Sequence, residues 1–252
     1  MNAAEFQANT PYAQFGGLAI DAPIDARRTF IRKTYTHLAV AIYAFVALQW
    51  LLFSVGFDVW LMNYLATLGR WSPLLLVVGF VVVSQIADKW ARSQTAVGMQ
   101  YAGLFLYVIA FSVLCVPMLA IAQGMAINIG GFGNVPIIPA AGVATLTMFG
   151  GLTAYAFLSR QDFSFLRGML SVTMFAAIAL ILVSFIFGLH LGVWFSALMI
   201  VAACGYVLYD TSNILHHYRT EQHVAASLAL FASIGLLFFY VLRLLMAFSS
   251  RD

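Results

Sequence analysis

The sequence predicts an all-α membrane protein with seven transmembrane helices, and three observations predict it. Of 252 residues, 63% are apolar and only 8% are charged, 12 Lys and Arg against 9 Asp and Glu. A soluble domain carries roughly a quarter charged residues, so this chain has too few to clothe a surface in water. The apolar residues fall in repeated runs of the roughly 20 needed to cross a core about 30 Å thick. Those runs are continuous, not alternating, which excludes an outer-membrane barrel. The same composition excludes a soluble enzyme, a disordered chain and a nucleic-acid binder, which needs a basic stripe.

Residues 1–26 come first. They are polar to neutral, with Pro11, Gly16, Gly17 and Pro23, and read as a mobile tail. No short apolar signal core precedes the first long run, so that run is expected to be a retained span. The division is a polar cytoplasmic tail over 1–33 and a seven-helix membrane domain over 34–250. Spans are expected at about 36–56, 71–87, 96–122, 135–158, 168–189, 191–209 or a little beyond, and 224–248. The fifth and sixth are linked, because no Asp, Glu, Lys or Arg occurs from Gly168 to Tyr209. That stretch is twice one crossing, and it turns at Gly188-Leu189-His190-Leu191-Gly192.

Orientation follows from Lys and Arg in the loops. Arg27, Arg28, Arg32, Lys33, Lys89, Arg92, Arg160, Arg167 and Arg219 share one side, against Arg70 and Arg251 on the other. The first side is expected in the cytoplasm, with the N-terminus in, Gly130 and Asp252 outside, and the protein in a bacterial inner membrane. Trp60, Tyr64 and Trp71 fit an outer aromatic belt. An inverted three-plus-three repeat is topologically possible, without an internal match to support it. Thr145, Thr147, Gly150, Gly151 and Thr153 permit close helix approach in the fourth span.

Enzyme chemistry finds no motif: no HExxH, no GxSxG and no GxxxxGK[ST]. Gly130-Gly131-Phe132-Gly133 reads as a flexible connection. A retinal protein needs a lysine in its last span, and the only lysines are Lys33 and Lys89. Cys115 and Cys204 read as packing residues. No catalytic residue and no cofactor are expected. Among the nine acids, Asp210 stands out at the inner end of the sixth span. An ionisable group at membrane depth usually faces the bundle interior or a water-filled cavity; an interfacial acid in water is the alternative. His216, His217 and Arg219 follow it and read as solvated loop residues. Arg160-Gln161-Asp162-Phe163-Ser164 reads as a turn in which Asp162 or Ser164 caps the next helix, or as a docking surface. Arg243 is expected to snorkel to the outer interface.

Four segments then carry a resemblance: Trp90-Ala91-Arg92 with Ala96-Val97-Gly98, Ser159 to Leu166, Leu208-Tyr209-Asp210-Thr211-Ser212-Asn213-Ile214, and Phe238-Phe239-Tyr240-Val241-Leu242-Arg243. In this order on seven spans, from about residue 27, the chain resembles the transmembrane Bax inhibitor motif family in its bacterial branch. The resemblance implies six helices surrounding a central seventh. It implies a pH-sensitive calcium leak in which a span-six aspartate, here Asp210, pairs with a span-seven aspartate and is latched by a basic residue, here Arg92. Calcium or another cation would then be the transported ion, with Asp210 as a weak calcium ligand.

The sequence departs from that pattern where the second acid belongs. Ser233 stands there, and a serine hydrogen-bonds but does not ionise at physiological pH. Calcium prefers several oxygens, ideally carboxylates, so binding is expected to be weaker and the response to lie at more acidic pH than in two-acid relatives. The competing reading is a non-transporting regulator of a membrane protease or other membrane machinery.

Overall fold

A computed structural model describes residues 18–93, 97–128, 133–159, 161–188 and 191–249. Helix α1 covers Ile24–Ser54, α2 Phe57–Thr67, α3 Ser72–Ala91 and α4 Val97–Ala122. Helix α5 covers Ile137–Ser159, α6 Leu166–Phe187, α7 Val193–His216 and α8 His223–Ser249. All but α2 are long and apolar enough to cross a membrane. They are the seven expected spans.

Local chemistry explains the boundaries. Pro23 precedes α1, where its fixed φ suits a helix start, and Asp25 sits in the first turn, where the helix dipole favours an acid. Helix α1 therefore begins at Ile24, inside the stretch expected to be tail. Arg27, Arg28, Arg32 and Lys33 extend the helix beyond its apolar part, because Arg and Lys are good helix formers. Ahead of it, Leu18 bridges antiparallel to Arg219, and Ala19 donates to the Tyr218 carbonyl at 2.8 Å. Gly56 at φ 72° turns the chain into α2, an eleven-residue helix that no sequence signal announced. Trp60 and Tyr64 stack on it with ring centres 5.7 Å apart. Gly188 at φ 67° closes α6, as the expected hairpin requires; Leu189 and His190 of that turn lie outside the described residues. On the opposite connection, Ala126–Asn128 (β1) pairs antiparallel with Asn134–Pro136 (β2). The flanks of the loop thus form a hairpin; Gly130, Gly131 and Phe132 lie outside the described residues, as do Arg160, Arg251 and Asp252.

Helix α8 is the centre. It is apolar around its whole circumference, the pattern of a helix buried on all sides. It packs against α1, α3, α4, α5 and α7, while α6 leans chiefly on α7. Two glycines set close approaches. A Cβ on Gly103 of α4 would lie 2.5 Å from the Ala87 carbonyl oxygen and the Ala91 nitrogen, so glycine there lets α4 touch the end of α3. A Cβ on Gly235 of α8 would lie 2.8 Å from the Phe111 ring.

Candidate functional site

Two elements meet at the site. Helix α7 continues to His216, so Asp210 stands inside a helix with a turn and a half beyond it. Its neighbour on α8 is Ser233, which is 4% exposed. The Ser233 hydroxyl donates to Asp210 Oδ2. The two positions singled out in the sequence as an acid and its missing partner are therefore in direct contact.

Above them opens a cavity of about 630 Å³. Asp210 lies on its wall with Asn213 and His217, one face of α7, since three- and four-residue steps align on a helix. Arg92, Arg167 and Tyr218 complete much of the lining. The cavity accounts for Asp210 being only half-buried despite its depth in the bundle.

Arg92 does not make the ion pair expected of it. Its Nε donates to both carboxylate oxygens of Asp88 at 2.9 Å. The reason is local. Asp88 lies one turn earlier on α3, at the i,i+4 spacing that sets side chains side by side. Asp210 sits deeper, already holding Ser233. Arg92 still lines the same cavity, its charge reaches Asp210, and its guanidinium bonds the Tyr218 hydroxyl. Partial burial opposes the charge on Arg92, but Tyr218 and Asp88 together hold its affinity for a proton above the ordinary arginine value. Burial pushes the Tyr218 hydroxyl up to about 12, with the Arg92 charge pulling the other way. Arg92 is thus a fixed cation at physiological pH, tied across α3 and the α7–α8 turn.

The turn between α5 and α6 is built differently from expectation. Helix α6 starts after Phe165 without a side-chain cap. Asp162 instead accepts from the Ser164 N–H at 2.9 Å, and its other oxygen pairs with His217 Nε2 at 3.1 Å. The Phe163 N–H donates to Ser212 Oγ at 2.9 Å. Asp162 therefore clamps the end of α7. Slight burial disfavours its charge, but the Ser164 and His217 hydrogen bonds outweigh this and hold the carboxyl below its ordinary range. The histidines are not simply solvated: His216 Nδ1 donates to the Ser212 carbonyl at 2.9 Å.

At the far end of α8, Arg243 reaches the α6–α7 turn at the outer end of the bundle. One guanidinium nitrogen donates to the Leu191 carbonyl at 2.8 Å, and the group lies 5.6 Å from the Phe195 ring centre. It pins the α6–α7 hairpin to α8. Cys115 is buried and Cys204 half-buried, both as free thiols.

Asp88 and Tyr218 were missed. The Asp88–Arg92 spacing was visible in the sequence; the approach of Tyr218 follows only from the fold. Where Asp210 meets Ser233 a cation finds one carboxylate and one hydroxyl, with the neutral oxygens of Asn213, Tyr209 and Gln222 elsewhere on the cavity wall, whereas calcium prefers six to eight oxygens, ideally carboxylates. Among the described residues no three His, Cys, Asp or Glu side chains converge.

The family model described as "Inhibitor of apoptosis-promoting Bax1" matches residues 27–250. The chain is 26% identical to "Bax inhibitor 1" of Schizosaccharomyces pombe, over 98% of this chain and 85% of the relative. It is 26% identical to "Protein lifeguard 4" of Mus musculus, over 94% and 92%. It is 26% identical to a "Golgi anti-apoptotic protein" of Vaccinia virus, over 92% and 90%.

Proposed function

The chain belongs to the Bax inhibitor family, multi-pass membrane proteins with seven apolar helices, and from that membership we propose that it is a pH-responsive cation leak, with calcium as the ion carried. One observation carries the reading: a cavity has on its wall a carboxylate that a hydroxyl of the central helix holds. An acid at that depth is costly to keep and serves best where ions or protons pass. Two tiers close the mouth in this reading. Asp210 and Ser233 form the inner tier. Asp88, Arg92 and Tyr218 form a lid that replaces the simple Asp–Arg latch. Protonating Asp210 removes the charge that faces Arg92 and weakens its hold on Ser233, so α7 and α8 part more readily as pH falls. The loop charge bias supports a cytoplasmic N-terminus and cavity in a bacterial inner membrane.

Calcium flux through reconstituted liposomes between mildly basic and mildly acidic pH tests this. The native protein should leak more as pH falls, Asp210→Asn should leak at every pH, and Ser233→Asp should restore a response near neutral pH. Native and Asp210→Asn traces that both match empty liposomes would sink the reading. A second reading would then stand: a non-transporting regulator of membrane machinery such as a protease. It has its own support, because the α7–α8 turn already accepts an extended segment, Leu18–Ala19, by backbone pairing.

A further inference from the structure

At the start of α8, nearly three turns before Ser233, three rings meet. His37 of α1 and His223 of α8 lie with ring centres 5.1 Å apart, and His37 and Tyr101 of α4 with centres 5.4 Å apart. The hydrogen bonds fix a tautomer. His37 Nδ1 is 2.6 Å from the Lys33 carbonyl oxygen, which can only accept, so Nδ1 carries the proton. In the neutral ring Nε2 must then accept, and the Tyr101 hydroxyl donates to it at 3.0 Å. Every polar atom of the neutral His37 ring is satisfied.

Protonation breaks that arrangement. Nε2 becomes a donor, and the Tyr101 hydroxyl must turn to accept. His223 faces His37 across the gap, and the charged group acting on His223 from α1 is Lys33, another cation. The α7–α8 turn contributes the backbone carbonyl of Glu221 to His223. Among the described residues, α4 contributes the Tyr101 hydroxyl. Two imidazolium rings beside a lysine repel. One turn on, Ser227 Oγ lies 2.6 Å from the His223 carbonyl oxygen and 3.0 Å from that of Thr34, so its single proton is shared between α8 and α1.

We propose that His37, Tyr101 and His223 form a proton-sensing joint that clasps α8 to α1 and α4 when neutral and releases it when protonated. The inference rests on the cation-leak reading for its purpose and not for its mechanism. It gives a chain with serine at position 233 a second way to respond as pH falls into the histidine range. Histidine is the side chain whose ordinary titration lies there, about 6.5. The same rigid helix carries both the joint and Ser233, so loosening its start also loosens the hold on Asp210.

The test has an arm that involves no transport. Spin labels at Arg32→Cys and Glu221→Cys, in a Cys115→Ser, Cys204→Ala background and in lipid nanodiscs, report the separation of α1 from the start of α8. In the otherwise native protein that separation should grow as pH falls from about 7 to about 5. With His37→Gln or His223→Gln it should stay at the high-pH value. Calcium flux on the same variants should lose about three-fold or more of its rise over that interval. A native distance that does not move with pH, or one that moves equally in both glutamine variants, overturns the joint. If the distance responds as expected and no form conducts, the joint stands and the leak reading falls. If flux responds to pH and both glutamine variants follow the native curve, the leak stands and the joint falls.

Discussion

The two sides of α8 show how one helix is divided between holding and yielding. His223, Ser227, Phe231, Gly235 and Phe238 recur at three- and four-residue steps and face α1 and α4. Ser233 lies two residues from Phe231, roughly 200° around the axis, and faces α7 with its bond to Asp210. On the first side aromatic rings interlock. Phe45 and Phe111 approach Phe231 with centres 6.3 and 5.9 Å away, and Gly235 leaves room for the Phe111 ring. On the second side a hydroxyl and a carboxylate meet beside a water-open cavity. Packing on the aromatic side has no alternative partner, so its contacts should set stability. The polar side opens on the cavity, so on the proposed cation-leak reading its contacts should set conductance.

The sharpest way to break that division is Phe111→Ala. It empties the centre of the aromatic side and should cost about 3 kcal/mol or more, mostly in lost packing. Unfolding by a graded denaturing detergent measures it. Equal stability in variant and native protein would show that the aromatic side does not hold the bundle. Gly235→Ala tests the same face from the other direction. Its Cβ meets the Phe111 ring at 2.8 Å, and overpacking of that kind costs about 1–3 kcal/mol. Ser233→Ala should cost less stability, about 1.5 kcal/mol for a bond to an ionised group, yet change flux more than either aromatic-side variant. The reverse ranking in a flux assay would erase the distinction between the sides.

What the sequence disclosed follows the same line. Span number and class were legible because hydrocarbon thickness writes itself into run length, and the α6–α7 turn was legible from its glycines. Asp210 and Ser233 were legible as positions because one is an acid where acids are expensive and the other departs from a family pattern. Arg92 was placed at the right cavity but given the wrong partner, since Asp88 four residues before it competes and wins by proximity. The joint of His37, Tyr101 and His223 had no signal, because its members lie on three helices and only folding brings them together. Helix α2 was hidden for a different reason: eleven residues are too few to register as a span.

The smallest predicted effect concerns Asp162, which lies outside both sides of α8 and clamps α7 from the surface. Its carboxyl is held below the ordinary range by the Ser164 and His217 bonds, against a slight burial cost. A carboxylate with a depressed folded-state value adds stability that is fully present above its unfolded value of about 3.9 and is lost as pH falls through the folded value. Asp162→Asn keeps an oxygen for the Ser164 N–H and removes only the charge. The group is largely exposed, so solvent screens it and the loss should be at most about 2 °C in melting temperature near pH 6. Near pH 3 the two proteins should melt closer together, because the native carboxyl is then becoming neutral too. Scans in detergent at both values, repeated at high salt, decide it. A difference that persists unchanged at the lower pH would mean that Asp162 acts through the shape of its turn and not through its charge, leaving α7 clamped by Ser212 alone.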